Sequence, residues 1–180
     1  MIIGLTGTMG AGKGEIVKIL KQKGFEHYVF SDVLREVAKE RNIDPTRENL
    51  QKLGAIVKKE SGRGILASKL LKKIKTDKAV LDGVRNVDEI KELKKNGAHI
   101  IGITAPQKVR YKRIKSRKRE GDPLTFLQFK RSDNLENRGK TKGQEINNCL
   151  NHADFIINNN GTLENLKKQV EDILNKIPFK

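Results

Sequence analysis

The chain has 180 residues, 36% of them apolar, and 38 lysine and arginine residues against 22 aspartate and glutamate residues give it a net charge of +16. No apolar run approaches ~18 residues, which excludes a membrane-spanning helix, and the single cysteine, Cys149, excludes an internal disulfide bond. The charge favours polyanionic partners, but two tyrosines and no tryptophan offer few surfaces for stacking bases. The N-terminal segment lacks basic residues, so we expect no signal peptide and a cytoplasmic location.

Short apolar runs alternate along the chain with segments of helical periodicity. The runs predict buried strands at 1–6, 27–31, 78–83, 99–105 and 154–158. The intervening apolar spacing predicts helices around 16–20, 33–38, 46–57, 65–71, 87–93, 107–118, 124–137 and 163–177. Strands separated by helices are typical of an α/β domain whose parallel sheet is covered on both faces. Ligands of such sheets bind at the carboxyl ends of the strands.

The segment GTMGAGKG, residues 7–14, lies between the first predicted strand and the first predicted helix. It matches G-x-x-x-x-G-K, the pattern of a phosphate-binding loop, although a chance glycine-rich turn is the alternative. Glycines let main-chain N–H groups face one anion, and the helix that follows adds partial positive charge. The sequence therefore predicts a nucleotide site formed by Gly7, Thr8, Met9, Gly10, Ala11, Gly12, Lys13, Gly14 and Glu15, with Lys13 facing the β- and γ-phosphates.

Two residues of this segment depart from common patterns. Gly14 stands where such loops often carry a Ser or Thr that contacts Mg²⁺. The string GAGKG resembles the loop of adenylate kinases, which also carry Gly there but follow it with Thr, where this chain has Glu15. A carboxylate beside a triphosphate must turn away or bind a cation, and we expect that of Glu15 to cap the following helix.

Two further strand ends resemble nucleotide kinases. SDVLR, residues 31–35, resembles the segment that begins the acceptor-binding region of adenylate kinases, which implies that Arg35 holds the acceptor's phosphate and that Asp32 lines the active site. On the residues alone, Ser31 and Asp32 are plausible helix caps. LDGVR, residues 81–85, is similar to the DGxPR of nucleoside monophosphate kinases, one residue shorter and without the proline. This implies that Asp82 binds Mg²⁺ through water and that Arg85 binds the phosphate being attacked.

Arginines crowd the predicted helices that follow the fourth strand. Arg110, Arg113 and Arg117 recur at spacings of three and four, which places them on one helical face. In kinases of this superfamily a short lid carries arginines that bind the transferred phosphate through their planar guanidinium groups. The resemblance implies that Arg113 stacks on the donor base and that Arg117 contacts the phosphates. It also implies lid candidates, for each of which a solvated basic surface is the alternative: Arg119, Arg131 and Arg138.

The C-terminal segment 151–170 resembles the ending of dephospho-CoA kinases, and in this kinase superfamily the backbone after the last strand often borders the adenine of the donor. Asn158 and Gly161 are the candidate contacts, and an ordinary strand end with Thr162 capping the last helix is the alternative. The three histidines show no metal-ligand spacing, so we expect His27, His99, His152 and Cys149 to be structural.

Together these segments resemble P-loop nucleotide kinases of the adenylate kinase and dephospho-CoA kinase type, and the small archaeal proteins described as adenylate-kinase-related. The resemblance implies a three-layer fold with strand order 2-3-1-4-5. It implies one domain over 1–180, with an acceptor-binding helical insert at about 46–75 and a lid at about 117–138. It also implies ATP and Mg²⁺ as cofactors, Lys13, Arg85, Arg117 and Arg131 as catalytic residues, and Asp32, Arg35, Arg85 and Arg138 as acceptor-binding residues.

Three functions stay open on the sequence. The segments at 31–35 and 81–85 favour an ATP-dependent nucleoside monophosphate kinase, whereas the C-terminal segment favours a dephospho-CoA kinase. A nucleotide-dependent factor that binds RNA or the ribosome is the third, because the chain is strongly basic and Glu15 suggests weakened catalysis. We expect a small-molecule nucleotide as the main partner, nucleic acid as a secondary one and no membrane partner; the oligomeric state stays open, with a monomer favoured.

Overall fold

A computed structural model of the protein describes residues 1–117, 122, 125–137 and 145–178, apart from the side chains at 47, 136 and 137. Their strands form a parallel sheet in the order β2-β3-β1-β4-β5, which confirms the predicted fold. The strands are β1 (Ile2–Gly7), β2 (Glu26–Val29), β3 (Ala79–Asp82), β4 (Ala98–Thr104) and β5 (Phe155–Asn158). The register aligns Leu5 with Asp82, so the ends of β1 and β3 meet at one edge of the sheet.

The described helices are α1 (Lys13–Gln22), α2 (Phe30–Glu40), α3 (Arg47–Ser61), α4 (Ile65–Leu71), α5 (Val87–Lys95), α6 (Gln107–Arg117), α7 (Phe126–Asn137), α8 (Ile146–Asn151) and α9 (Leu163–Lys176). Side chains fix several of their starts. Thr46 caps α3 and Thr162 caps α9, and the side chain of each accepts a hydrogen bond from the N–H of the residue three positions later. Asn86 begins α5 in a capping box with Glu89. Within the described ranges, every helix is too short or too polar to cross a membrane.

Two apolar layers cover the sheet because strand side chains alternate between its faces. On one face, Leu81 and its neighbours pack against α2, α3, α4, α5 and α8. On the other, Val80 packs with Ile3 and Leu5 against α1 and α9. Helices α3 and α4 occupy the stretch predicted as an acceptor-binding insert, and that role stays a prediction.

Several sequence-based expectations about these elements differ from the structure. Strand β2 ends at Val29, not at 31, because Phe30 already begins α2 and buries its ring as a helical residue. Val29 is therefore the N-cap of α2, and the predicted capping by Ser31 and Asp32 is wrong because both lie within the first helical turn. Helix α8 was not predicted, since its six residues present only Ile146 and Cys149 to the core.

Candidate phosphate-binding site

The loop between β1 and α1 depends on glycine at two positions. Gly10 and Gly12 have φ angles of 78° and 108°, in the left-handed region that side chains disfavour. A Cβ atom at Gly10 would lie 2.8 Å from the carbonyl oxygen of Arg110, and one at Gly12 would lie 2.2 Å from Nδ2 of Asn159. These two glycines let the loop curl tightly between its neighbours.

The loop leaves main-chain donors at the start of α1. The N–H of Ala11 donates to the carbonyl oxygen of Thr8 at 3.1 Å and closes a turn. Within the described ranges, the amides of Met9, Gly10, Gly12 and Gly14 donate no main-chain hydrogen bond. Amides of this kind at a helix N-terminus are suited to binding an anion.

Lys13 is the first residue of α1, and its side chain folds back over the loop. Its Nζ donates to the carbonyl oxygen of Gly7 at 2.6 Å and to that of Thr8 at 3.3 Å. The ammonium group therefore lies against the backbone that carries the amides. A full positive charge and several N–H donors converge on one short segment, which is the arrangement that phosphate binding requires.

Asn159 was missed by the sequence analysis, although it contacts the loop directly. Its side chain is buried, with Nδ2 donating to the carbonyl oxygen of Ala11 at 2.8 Å and Oδ1 accepting from Arg113 at 3.3 Å. The Arg113 guanidinium also reaches the Ala11 carbonyl at 3.3 Å. The two-residue period of β5 places Asn159 on the same side as buried Ile157, and this signal could have identified it.

The two C-terminal candidates lie beside this contact. Asn158 is exposed, and its Oδ1 accepts from the hydroxyl of Thr104 at 2.8 Å. Gly161 is also exposed and lies next to the side chain of Asn165. Their proposed contact with a donor base stays a prediction.

Asp82 ends β3 beside the loop and offers a carboxylate oxygen to a ligand. Its Oδ2 lies 3.8 Å from Nε2 of His27, whereas Oδ1 is buried and has no hydrogen-bond partner among the described residues. The hydroxyl of Thr8 is likewise buried and unpartnered. In the described ranges no group of three or more His, Cys, Asp or Glu residues could hold a metal ion by itself.

Three of the predicted acceptor residues, Asp32, Arg35 and Arg85, lie on the exposed surface. Arg35 binds Asp32 at 2.6 Å and the hydroxyl of Ser31 at 2.9 Å, all within the first turns of α2. Arg85 is exposed, just beyond the end of β3. Glu15 does not cap α1, so that expectation is wrong: the N-cap is Gly12, and the carboxylate pairs with Lys18 at 2.8 Å.

The three arginines of α6 have different environments. Arg110 is buried and binds both carboxylate oxygens of Asp133 on α7, at 2.5 and 2.8 Å. Arg113 faces the loop, as described above. Arg117 is exposed and binds Asp122 through two contacts of 2.6 Å, which raises the pKa of its guanidinium. Of the lid candidates, Arg131 is exposed on α7, and Arg119 and Arg138 lie outside the described residues.

Comparison with known proteins places the chain in a family. Residues 6–126 match the model of a family described as AAA domain. The UPF0200 protein of Hyperthermus butylicus is 32% identical over 181 residues, covering 98% of this chain and 95% of the relative. That of Sulfurisphaera tokodaii is 36% identical over 178 residues, covering 98% and 97%. The chain belongs to the UPF0200 family and carries an AAA domain.

Solved structures show which fold this UPF0200 chain shares. TT1252 from Thermus thermophilus aligns with a TM-score of 0.60 at 19% identity, covering 99% of this chain and 98% of that one. A shikimate kinase from Bacteroides thetaiotaomicron aligns with a TM-score of 0.59 at 14% identity, covering 98% and 97%. A gluconokinase from Sinorhizobium meliloti aligns with a TM-score of 0.53 at 12% identity, covering 97% and 91%. These likenesses establish a P-loop kinase fold, as the sequence predicted.

Proposed function

We propose that the protein is an ATP-dependent phosphotransferase that transfers the γ-phosphate of ATP to a nucleotide acceptor, as nucleoside monophosphate kinases do. The observation that carries the proposal is the position of Lys13. Its Nζ lies 2.6 Å from the carbonyl oxygen of Gly7, beside amides of Met9, Gly10, Gly12 and Gly14 that donate to no main-chain carbonyl among the described residues. This pairing of a cation with main-chain donors suits the terminal phosphates of a nucleoside triphosphate.

Phosphoryl transfer requires mainly that the donor and acceptor are positioned and that the negative charge on the transferred phosphate is neutralised. When ATP binds, Lys13 exchanges its carbonyl partners for oxygens of the β- and γ-phosphates, and the loop amides donate to the same group. Arg113 and Asn159 hold the loop from the side of α6 and β5. In this proposal the donor base borders Asn158 and Gly161 and stacks on Arg113.

The donor set at the end of β3 fits Mg²⁺. Asp82, whose buried Oδ1 has no partner in the described part of the chain, would hold the ion through water, and Gly14 contributes no hydroxyl. The ion, when bound, offsets negative charge on the phosphates. Asp82 lies at the edge of the sheet where the loop begins, and it would hold the ion there.

The proposal puts the acceptor beside Arg85, which follows β3, the strand next to β1 in the sheet. Arg85 and Arg35 bind the phosphate of the acceptor, with Asp32 beside them. Arg117, Arg131 and Arg138 belong to the segment that covers the transferred phosphate and excludes water. To take these roles, Arg35 leaves its carboxylate partner Asp32, and Arg117 leaves Asp122.

An ADP-release screen tests the proposal. The acceptors are ribo- and deoxyribonucleoside monophosphates and dephospho-CoA. Shikimate and gluconate are added because a shikimate kinase and a gluconokinase share the fold, and RNA is added because the chain is basic. We expect one class of nucleotide to stimulate ADP release, Lys13→Met to abolish it, and Lys21→Met, an exposed change on the same helix, to preserve it. ADP release that no acceptor alters would contradict the proposal.

A further inference from the structure

The backbone that follows β3 is bound to β1. The N–H groups of Gly83 and Val84 both donate to the carbonyl oxygen of Leu5, at 3.3 and 3.1 Å. The hydroxyl of Thr6 donates to the carbonyl oxygen of Val84 at 2.9 Å. The first part of the segment that carries Arg85 is therefore fixed on the central strand.

The peptide groups of Arg85 are bound by two glutamates. Its N–H donates to Oε2 of Glu89 at 2.9 Å, and its carbonyl oxygen accepts from the N–H of Glu145 at 2.7 Å. The same Oε2 accepts from the N–H of Asn86 at 3.3 Å, within the capping box of α5. Glu89 is fully buried, so its carboxylate depends on these donors and on a cation.

Each of the two glutamates is paired with a cation from the predicted acceptor-binding insert. Nζ of Lys58, on α3, lies 3.0 Å from Oε1 of Glu89, and the two side chains are only 13% and 2% exposed. The guanidinium of Arg63, between α3 and α4, contacts the carboxylate of Glu145 and lies 3.1 Å from that of Asp88. Both the N–H and the carbonyl group of Arg85 are thus connected, through the two glutamates, to α3 and the turn that follows it.

We propose that Lys58 and Arg63 are positioning residues that act on Arg85 through Glu89 and Glu145. Lys58 holds the Glu89 carboxylate in place through the ion pair, and the carboxylate so held accepts from the N–H of Arg85. A change in the position of α3 and α4 is therefore transmitted to the arginine that binds the acceptor. The inference rests on the proposed function for the role of Arg85, whereas the linkage itself is independent of catalysis.

Hydrogen exchange at the amides of Arg85 and Asn86 tests the linkage without any substrate. We expect Lys58→Met to accelerate exchange at both amides at least about tenfold, because Glu89 loses its cation. Lys58→Arg keeps the charge and should restore slow exchange. Lys59→Met is the matched control, since Lys59 is exposed on the same helix and pairs with no described acidic residue, and it should exchange like the parent.

Steady-state kinetics test the consequence for the acceptor. In Lys58→Met we expect the KM for the acceptor to rise about tenfold while the KM for ATP changes less than about twofold, because only the Arg85 side is displaced. Arg63→Gln should act in the same direction, and it covers the case in which Lys58→Met does not fold, because Arg63 is half-exposed. Parental exchange in both variants, or equal rises in the two KM values, would overturn the inference. A parent that transfers phosphate to no acceptor would instead refute the proposed function and leave the exchange result to decide the linkage.

Discussion

Asn159 holds the carbonyl oxygen of Ala11, 148 residues away in the sequence, through a hydrogen bond of 2.8 Å from its side-chain amide. The same side chain accepts from Arg113 at 3.3 Å. One buried asparagine therefore joins the last strand, the basic helix α6 and the loop before α1. The shape of the loop is thus fixed by parts of the fold that are remote in sequence.

Removing this amide should loosen the loop. We expect Asn159→Ala to lower the affinity for ATP about tenfold and the free energy of unfolding by about 1–3 kcal/mol, because the Ala11 carbonyl loses a buried partner. Calorimetric titration with ATP and urea unfolding measure the two effects. Asn160→Ala, one residue further and exposed, is the control and should leave both unchanged. Parental ATP affinity in Asn159→Ala would contradict the role given to this residue.

Glycine is required at Gly12 but not at Gly14. A Cβ atom at Gly12 would collide with Asn159, whereas one at Gly14 would have no atom within 4 Å. We expect Gly12→Ala to lower the free energy of unfolding by about 1–3 kcal/mol and to abolish ATP binding. Gly14→Ala should bind ATP and unfold like the parent or be slightly more stable. Equal losses in the two variants, by the same titration and unfolding assays, would count against the loop geometry.

The pair of Arg110 and Asp133 anchors α7 on α6. Their side chains are 6% and 1% exposed, and Gln107 also donates to the Asp133 carboxylate at 2.8 Å. We expect Asp133→Ala to lower the free energy of unfolding by about 3–5 kcal/mol, because it leaves a buried guanidinium without its counter-charge. Adding Arg110→Met should recover much of this loss in urea unfolding. If the double variant is no more stable than Asp133→Ala, the buried charge is not the cause.

Stability at alkaline pH should depend on the buried thiol of Cys149. Burial, with a smaller contribution from Glu89, raises the pKa of this thiol from 9.0 to about 12. As the pH rises, the unfolded chain loses the thiol proton at a lower pH than the folded protein does. The contribution of the protonated thiol to the free energy of unfolding is therefore complete below pH 9 and is lost as the pH rises towards 12. Between about pH 8 and about pH 10 the free energy of unfolding should fall by about 1.4 kcal/mol more in the parent than in Cys149→Ala. Equal falls in urea unfolding would show that the thiol does not titrate in this way.

Much of the sheet was predictable because its signals are local. Val80 and Leu81 lie in a short apolar run, and the glycines of 7–14 mark the turn into α1, so strands, helices and loop followed from the pattern. The strand order came from the family resemblance. The end of β2 was not predicted correctly, because Phe30 is apolar and suits a strand as well as the helix that it begins.

The parts of the site that were missed depend on contacts between distant segments. Three consecutive asparagines look alike in sequence, and only the direction of β5 distinguishes Asn159 from Asn158. Lys58 and Glu89 each look like ordinary charged residues of a solvated helix, and only the folded structure shows that their side chains are buried and paired between α3 and α5. Glu15 is a local case that was also predicted wrongly, since its carboxylate, expected to cap α1, pairs with Lys18 instead.

The binding of ATP to the loop at residues 7–14 is the central claim, and backbone amide NMR in the presence of Mg²⁺ measures it most directly. We expect submillimolar ATP to shift the amide resonances of Met9, Gly10, Gly12 and Gly14 in a saturable way, and Lys13→Met to remove the shifts while Lys21→Met retains them. Shifts confined to other parts of the chain, or shifts in Lys13→Met equal to those of the parent, would contradict the account.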